Sequence, residues 1–347
     1  MTGETVAVTI VTFNSARFIA RCLQYLFEQN YPNIEVIVVD NASSDETTSI
    51  LDRLSDRIKF VRNERNVGFA EAQNYAINLS KSAWVLTLNP DVRLSPDFVE
   101  KAVAAAEVNE NIGSISGKLL RMAPDFEIPA SKTLDSTGIY FTPALRHFDR
   151  GSGEPDGGAY DQVEYVFGVS GAAALYRRKM IDDVSIEGEF FDSDFFAYRE
   201  DADLAWRAQL LGWKCLYTPD AIAYHVRAVL PSNRKSLAAA INMHSVKNRF
   251  LMRIKNITPD LYIRHLLPIT LRDLVVLGGC LLREFSSLPA FLLIIRNFGK
   301  MHAKRREIMR RRRADSRYIA AWFSNRPTSF SLVDNLRNTP TRAVTSR

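Results

Sequence analysis

Cysteine is scarce. Cys22, Cys215 and Cys280 are the three in 347 residues. They lie far apart and form no Cys-x-x-Cys pair. Neither a disulfide scaffold nor a cysteine-based zinc site is expected, and the usage fits a reducing compartment. No basic segment followed by an apolar core opens the chain, so no secretory leader is expected. Internal repeats and low-complexity tracts are also missing. No charge-free apolar run reaches the ~18 residues that a spanning helix needs. The most apolar stretch, 266–295, is cut by Arg272, Asp273, Arg283 and Glu284. What remains is ordinary globular composition, 46% hydrophobic and 24% charged, which excludes disordered and collagen-like classes. The length suits one large domain with an appendage, or two to three small domains.

The net charge of +6 conceals a split. Residues 1–226 hold 21 Lys and Arg against 33 Asp and Glu, a net of −12, whereas residues 227–347 hold 24 against 6, a net of +18. An acidic body argues against nucleic-acid binding. The basic run at 304–313 lacks interleaved aromatics, which argues the same way. A basic, partly apolar tail suits an anionic surface.

Short β-branched or apolar runs at 6–12, 35–39, 59–62 and 84–88 alternate with helical patterns at 15–28, 47–54, 68–80 and 96–108. Apolar strands separated by amphipathic helices predict a mainly parallel sheet covered on both faces, an α/β fold of Rossmann-like type. In such sheets ligands bind beyond the carboxyl ends of the strands. Those ends carry Asn14, Asp40, Asn41 and Asp91. Residues 118–171 are rich in Gly, Pro and Asp and predict loops and short strands. Helices are predicted at 198–211 and 237–254.

Four patches carry candidate chemistry. The first pairs Val11-Thr12-Phe13-Asn14 with Asp40-Asn41-Ala42-Ser43-Ser44-Asp45. A strand-end carboxylate can accept a base or ribose proton, and turn chemistry alone also accounts for the cluster. The second is Asn66-Val67-Gly68-Phe69-Ala70, where a glycine at a helix start admits close approach of an anionic ligand or serves packing. The third is Asn89-Pro90-Asp91, an acid at the end of a buried strand that can coordinate a divalent cation. The fourth is Glu200-Asp201-Ala202-Asp203, with Arg207 one turn on. Acids crowded at a helix start repel one another unless a cation, a proton or a substrate hydroxyl lies among them, and crowding lifts a carboxylate toward useful basicity. His225, following a strand-like run, is a candidate second metal ligand.

Taken in order, Val11-Thr12-Phe13-Asn14, Asp40-Asn41, Asn66 with Gly68, Asn89-Pro90-Asp91, Gly171-Ala172, Glu200-Asp201-Asp203-Leu204-Arg207 and His225 resemble family 2 glycosyltransferases. The rhamnosyltransferase-like branch, with Asn-Pro-Asp in place of Asp-x-Asp, is the most similar. The resemblance covers about residues 5–255. It implies a GT-A fold, a nucleotide-sugar donor, Mg²⁺ or Mn²⁺, and inversion at the anomeric carbon. On this resemblance Thr12, Asn14 and Asp40 hold the nucleoside. Asn41, Asn66, Gly68, Asn89, Gly171, Glu200 and Arg207 complete the substrate and nucleotide site. Asp91 and His225 hold the metal, and Asp201 is the general base.

The implied organisation is a nucleotide-sugar-binding half over 1–112, an acceptor-binding half over 113–255 and a basic amphipathic helical tail over 256–347. The implied reaction moves a sugar, rhamnose from dTDP-rhamnose, to a glycan or polyprenyl-diphosphate-linked acceptor in cell-surface polysaccharide synthesis. The tail predicts a cytoplasmic protein lying peripherally on the inner face of the cell membrane through anionic lipid. Packing of 266–295 on the body as ordinary core helices is the alternative for that segment. A non-catalytic, membrane-docked nucleotide-sugar-binding module is the alternative for the whole, and an oligomer is left open.

Overall fold

The structure, a computed structural model, describes residues 3–227 and 239–332. The chain begins as alternating strands and helices: β1 (Val6–Thr12), α1 (Ile19–Phe27), β2 (Ile34–Asp40), α2 (Thr47–Asp52), β3 (Lys59–Arg62), α3 (Phe69–Asn78) and β4 (Trp84–Leu88). All seven residues of β1 and all five of β4 are buried. Both faces of these strands are therefore covered, which is why their sequence is continuously apolar rather than alternating. The helix predicted from Ser15 starts four residues later, at Ile19. Asn14 takes a left-handed conformation, the Ser15 side chain accepts from the Phe13 amide, and the Ser15 amide donates to Thr47. Ser15 therefore closes a turn before the helix begins.

Next come β5 (Val92–Leu94), α4 (Phe98–Ala106) and β6 (Ile112–Arg121). The irregular stretch holds β7 (Leu134–Ser136), β8 (Ile139–Phe141), β9 (His147–Asp149) and β10 (Glu164–Val166). β11 (Ala173–Arg177), α5 (Arg178–Val184), α6 (Glu200–Leu210) and β12 (Lys214–His225) complete the sheet region. One sheet runs in the order β10-β12-β6-β11-β4-β1-β2-β3, with β5 on β12 and β7 on β6. The ladders joining β3, β2, β1 and β4, and that joining β6 to β12, are parallel. β11 enters antiparallel between β4 and β6, so the sheet is mixed although its longest ladders are parallel.

Beyond β12 the described chain is helical: α7 (Ala239–Asn256), α8 (Pro259–Arg264), α9 (Leu266–Leu282), α10 (Pro289–Arg311) and α11 (Ser316–Ala321). No described helix is long and apolar enough to cross a membrane. The two halves of the apolar-basic tail behave differently. Along α9 and the first turns of α10, Leu267, Leu271, Leu274, Leu282, Phe285, Leu292, Ile295 and Phe298 are exposed. The basic run is largely turned onto the acidic body instead. Lys304 is buried against Asp192 and Asp194, Arg305 donates to the carbonyl of Ile257, and Arg311 and Arg313 pair with Asp183. Much of the charge expected to meet anionic lipid is thus neutralised within the protein. The last residues of the predicted tail, 333–347, lie outside the described residues.

Candidate active site

β2 and β3 extend the sheet on one side of β1, and β4 lies on the other. The chain therefore leaves the parallel strands β1 and β4 toward opposite sides of the sheet, a switch point of the kind at which α/β sheets place a ligand crevice beyond the strands' carboxyl ends. Asn14 follows β1 and Asn89-Pro90-Asp91 follows β4 at that crevice. β11 runs antiparallel to β4, so its amino end lies there too: Ala173 registers with Leu88, and the Asn89 amide donates to the Ala172 carbonyl at 2.9 Å.

The nucleotide-side residues divide into a frame and a rim. Thr12 and Asp40 are fully buried, and the Thr12 hydroxyl donates to Asp40 Oδ1 at 2.8 Å. Asp40 Oδ2 accepts from the Ser43 amide at 2.8 Å. Asn41 is also buried: its Nδ2 donates to the Gly68 carbonyl at 3.1 Å and its Oδ1 accepts from Asn63 at 2.8 Å. Thr12, Asp40 and Asn41, implied by the resemblance to line the nucleotide site, are hydrogen-bonded within the protein in this structure. A carboxylate taken out of water needs donors, and Thr12 and Ser43 supply them to Asp40, while Asn41 spends its amide on Gly68 and Asn63. Asn14 stands exposed at the rim, with its Oδ1 accepting from the Ser44 amide at 2.8 Å.

Gly68 has φ of +91°, and a Cβ there would lie 2.6 Å from the Phe196 ring and 2.7 Å from its carbonyl oxygen. The backbone at Gly68 is approached closely by Phe196, in the segment leading into α6. Asn66 accepts from the Gly68 amide at 2.9 Å and fixes this turn.

At the other side of the crevice, His225 at the end of β12 brings Nε2 to 3.6 Å from Asp91 Oδ1. Its Nδ1 lies 2.8 Å from Oδ2 of Asp135, a buried carboxylate that no sequence signal marked. Burial works to lower the His225 pKa, but the Asp135 hydrogen bond and the Asp91 charge outweigh it and hold the imidazole above its usual range. Burial holds the Asp91 carboxyl above its usual range, with His225 opposing. An imidazole steered through one nitrogen by a carboxylate presents the other to a metal. Among the described residues no group of three or more His, Cys, Asp and Glu side chains converges on a metal position. Two protein donors fit a hard cation that completes its shell with substrate phosphates and water. Asn89 is half-buried beside them.

Asp201 sits at the start of α6. Its Oδ2 accepts from the Gly171 amide at 3.1 Å and its Oδ1 from the Ala202 amide at 2.7 Å. Burial raises its pKa, and the Gly171 hydrogen bond opposes the rise without cancelling it. Glu200 is more deeply buried, with Oε2 lacking any hydrogen-bond partner. Burial and then the Asp201 charge push its carboxyl up to about 8, so it is largely neutral at pH 7. Asp203 and Arg207 are turned inward. Arg207 donates to the carbonyls of Val184 at 2.6 Å and Phe190 at 2.7 Å and lies 3.4 Å from Asp203. Each of these Arg207 bonds is made inside the body, and the residue is 1% exposed.

The backbone ahead of Asp201 is strained. Phe196, Tyr198 and Arg199 all have positive φ, between 66° and 72°, a region costly for residues with a Cβ. α7 holds them. Asn248 Nδ2 donates to the carbonyls of Phe195, Ala197 and Tyr198 at 2.7–2.9 Å. Lys255 Nζ bridges the buried Asp192 and Asp203, and Asn256 donates to Asp203 Oδ1 at 2.7 Å. Asp135, Asn248 and Lys255 are supporting residues that sequence reasoning missed. A lone Asp among loops and two polar residues on a basic helix carry no local signature.

The sequence profile described as Glycosyl transferase family 2 matches residues 7–185, and the chain belongs to that family. An uncharacterized glycosyltransferase of Haemophilus influenzae is 27% identical over 147 residues, 42% of this chain; this chain spans only 45% of that protein's length. The N-acetylglucosaminyl-diphospho-decaprenol L-rhamnosyltransferase of Mycobacterium tuberculosis is 26% identical over 244 residues, covering 65% of this chain and 77% of that one. Among solved structures, a mannosyltransferase of Pyrobaculum calidifontis in complex with GDP-Man and Mn²⁺ superposes with a TM-score of 0.51 at 18% identity, over 89% of this chain and 86% of that one. At that identity the likeness speaks for the fold.

Proposed function

We propose that this chain is an inverting glycosyltransferase in which Asp201 is the general base. The acceptor hydroxyl oxygen attacks the anomeric carbon of a nucleotide-bound sugar from the side opposite the leaving diphosphate. The new carbon–oxygen bond forms as the bond to the diphosphate oxygen breaks, and the acceptor proton passes to an Asp201 carboxylate oxygen. The observation that carries this reading is the position of Asp201. It is the accessible acid of its cluster, with a raised proton affinity, and it is tied through Gly171 and Ala172 to the strand that presents Asp91.

Asn14, Asn66 and the Gly68 turn form the donor-nucleoside rim, with Thr12, Asp40 and Asn41 as its frame. The nucleotide half is 1–112 and the acceptor half 113–255. Asp91 and His225, with Asn89 beside them, would hold Mg²⁺ or Mn²⁺, which supplies positive charge to the leaving diphosphate. The fit of this donor pair and the Mn²⁺ of the Pyrobaculum mannosyltransferase support that choice. Asp135 keeps His225 oriented, and Glu200, uncharged at neutral pH, spares Asp201 a second negative neighbour.

The M. tuberculosis relative acts as a rhamnosyltransferase on a lipid-diphosphate-linked sugar, as its name states. That supports rhamnose from dTDP-rhamnose as donor and a polyprenyl-diphosphate-linked sugar as acceptor here, in cell-surface polysaccharide synthesis. The exposed apolar face of α9 and α10 supports peripheral attachment to the cytoplasmic face of the membrane.

A thermal-shift panel of nucleoside diphosphates and nucleotide-sugars, with and without Mg²⁺, tests the donor. A ligand at ~100 times its Kd stabilises by about 2.7 kcal/mol. Stabilisation followed by metal-dependent donor hydrolysis supports the enzyme; stabilisation with no hydrolysis by either wild type or Asp201→Asn supports a binding module instead.

A further inference from the structure

The basic run near the end of α10 sorts into two groups. Lys304 pairs with Asp192 and Asp194, Arg310 with Glu307, Arg311 with Asp183 and Glu307, and Arg313 with Asp183. Among the described residues, no carboxylate is in ion-pair contact with Arg305, Arg306 or Arg312. These three, with His302, Met309 and Pro259 of α8, line a cavity of about 390 Å³. The lining therefore gathers the cations that the body leaves without an acid, and it holds no acid of its own. The acids nearest along the chain are engaged elsewhere. Asp260 accepts from Ser316 at 2.6 Å, Glu307 meets Arg310 and Arg311, and Asp315 accepts from the Arg317 amide at 2.6 Å. Arg305 and Arg312 are anchored at the cavity. Arg305 Nη1 donates to the carbonyls of Ile254 and Ile257. Arg312 donates through Nε to the Ala314 carbonyl and through Nη2 to Ser316, both at 2.8 Å. Each guanidinium keeps further N–H donors for a ligand, and the exposed Arg306 and His302 complete the rim.

The walls of this cavity continue into apolar surface on both helices. On α10, Ile295, Phe298, His302, Arg306 and Met309 recur every three or four residues and so share a face. The His302 ring stacks on Phe298 with centroids 6.3 Å apart. On α8, Pro259 shares its face with Tyr262 and Ile263, three and four residues on. Ile295, Phe298, Tyr262 and Ile263 are all exposed. Among the described residues, fourteen of the eighteen exposed large apolar side chains fall between Tyr262 and Phe298, so the cavity adjoins the region where exposed apolar surface is concentrated. A free phosphate would meet the arginines and leave that surface in water. An amphiphile satisfies both parts at once.

We infer that this cavity binds the phosphate of an anionic glycerophospholipid, with the acyl chains lying against Phe298, Ile295 and Ile263. The ligand is a lipid of the bilayer and not the sugar acceptor, and the site lies on the helical tail, away from the crevice of Asp91 and Asp201. It rests on the reading of the α9 and α10 face as membrane-facing. Guanidinium groups meet phosphate oxygens through paired N–H donors. A choline headgroup would bring a cation of its own to three arginines, so the cavity selects against zwitterionic lipid. A lipid held at one place also fixes how the chain sits on the membrane, which a diffuse basic surface does not.

Dihexanoylphosphatidylglycerol, dihexanoylphosphatidylcholine and inorganic phosphate are the probes, titrated into the full chain by calorimetry below the concentration at which the lipids form micelles. The phosphatidylglycerol is expected to bind at least about ten-fold more tightly than either of the others. Arg306→Gln is expected to weaken it about ten-fold and His302→Gln to weaken it less. Both side chains are exposed, so both variants should melt with wild type. Arg296→Gln, exposed on α10 but outside the lining, should bind as wild type does. Equal affinity for the two lipids, or an equal loss in Arg296→Gln and Arg306→Gln, overturns the site in favour of unspecific attraction. Inorganic phosphate binding as tightly as the phosphatidylglycerol overturns the lipid and leaves a free-phosphate cavity. Flotation with phosphatidylglycerol vesicles reads membrane attachment separately. Wild type that floats, with lipid binding unchanged in Arg306→Gln and His302→Gln, keeps attachment through the apolar face and overturns this site. Arginine-dependent lipid binding in a chain that floats with no vesicle sinks peripheral attachment and leaves the site standing.

Discussion

Asn248, on α7, donates its side-chain N–H to the Tyr198 carbonyl at 2.7 Å, across 50 residues of chain. Tyr198 is one of three residues with positive φ that immediately precede the acids of α6. α7, at the end of the acceptor half, therefore shapes the segment that precedes Asp201.

Asn248→Ala removes the donor shared by the three carbonyls and leaves them buried. The expected loss is about 1–3 kcal/mol of stability, read by urea denaturation, with a fall in turnover larger than any change in nucleotide affinity. Unchanged stability and turnover would show that the strained segment holds itself.

Asp201→Asn keeps the shape of the side chain but not its proton affinity. Turnover should drop on the order of 10²–10⁴-fold while donor affinity, measured by calorimetry, stays near wild type. Near-normal turnover would shift the role of base to another acid.

Asp135→Asn leaves His225 without its carboxylate partner. Loss of such an outer partner usually costs about 10–100-fold in metal affinity. Asp91→Ala should abolish metal-dependent binding of the nucleoside diphosphate, and His225→Ala should weaken it less. Equal affinities in wild type and all three variants would place the metal elsewhere.

Glu200 gives a pH signature in stability. Its folded pKa of about 8 stands above the ordinary glutamate value of 4.5, chiefly through burial. Between those values the folded state holds the proton more tightly than the unfolded state, so stability falls as pH rises. Glu200→Gln removes that slope. Denaturation at pH 5, 7 and 9 should show the variant gaining on wild type as pH rises, with the gap smallest at pH 5. Parallel profiles would contradict a buried, protonated Glu200.

Lys255→Met deletes a buried charge that bridges Asp192 and Asp203. Breaking such a pair from one side costs up to about 3–5 kcal/mol, because the two buried acids then keep only Lys304, Arg207 and Asn256 as partners. A melting temperature equal to wild type would show that Lys304 and Asn256 suffice for these acids.

Local pattern alone determined much of this protein. The strands at 6–12 and 84–88 were legible to the residue, because a strand covered on both faces is largely apolar; the edge strand at 59–62, with no buried residue, was legible from its short apolar centre. The positions of Asn14, Asp91 and Asp201 were legible because they sit where apolar periodicity stops. Local pattern does not reveal the partner of a buried polar group. Thr12, Asp40, Asn41 and Arg207 carry the residue types of a binding site, yet the tertiary structure turns them inward, where buried polar atoms need partners: Thr12 meets Asp40, Asn41 meets Gly68 and Asn63, and Arg207 meets the carbonyls of Val184 and Phe190. The basic run looked like a surface for lipid; Lys304 instead meets Asp192 across 112 residues, and Lys255 meets Asp203 across 52. Asp135 and Asn248 were invisible for the same reason. Burial period and chain reversal are properties of neighbours in sequence, whereas neutralising a buried charge or holding a strained backbone depends on which distant segments the fold brings together.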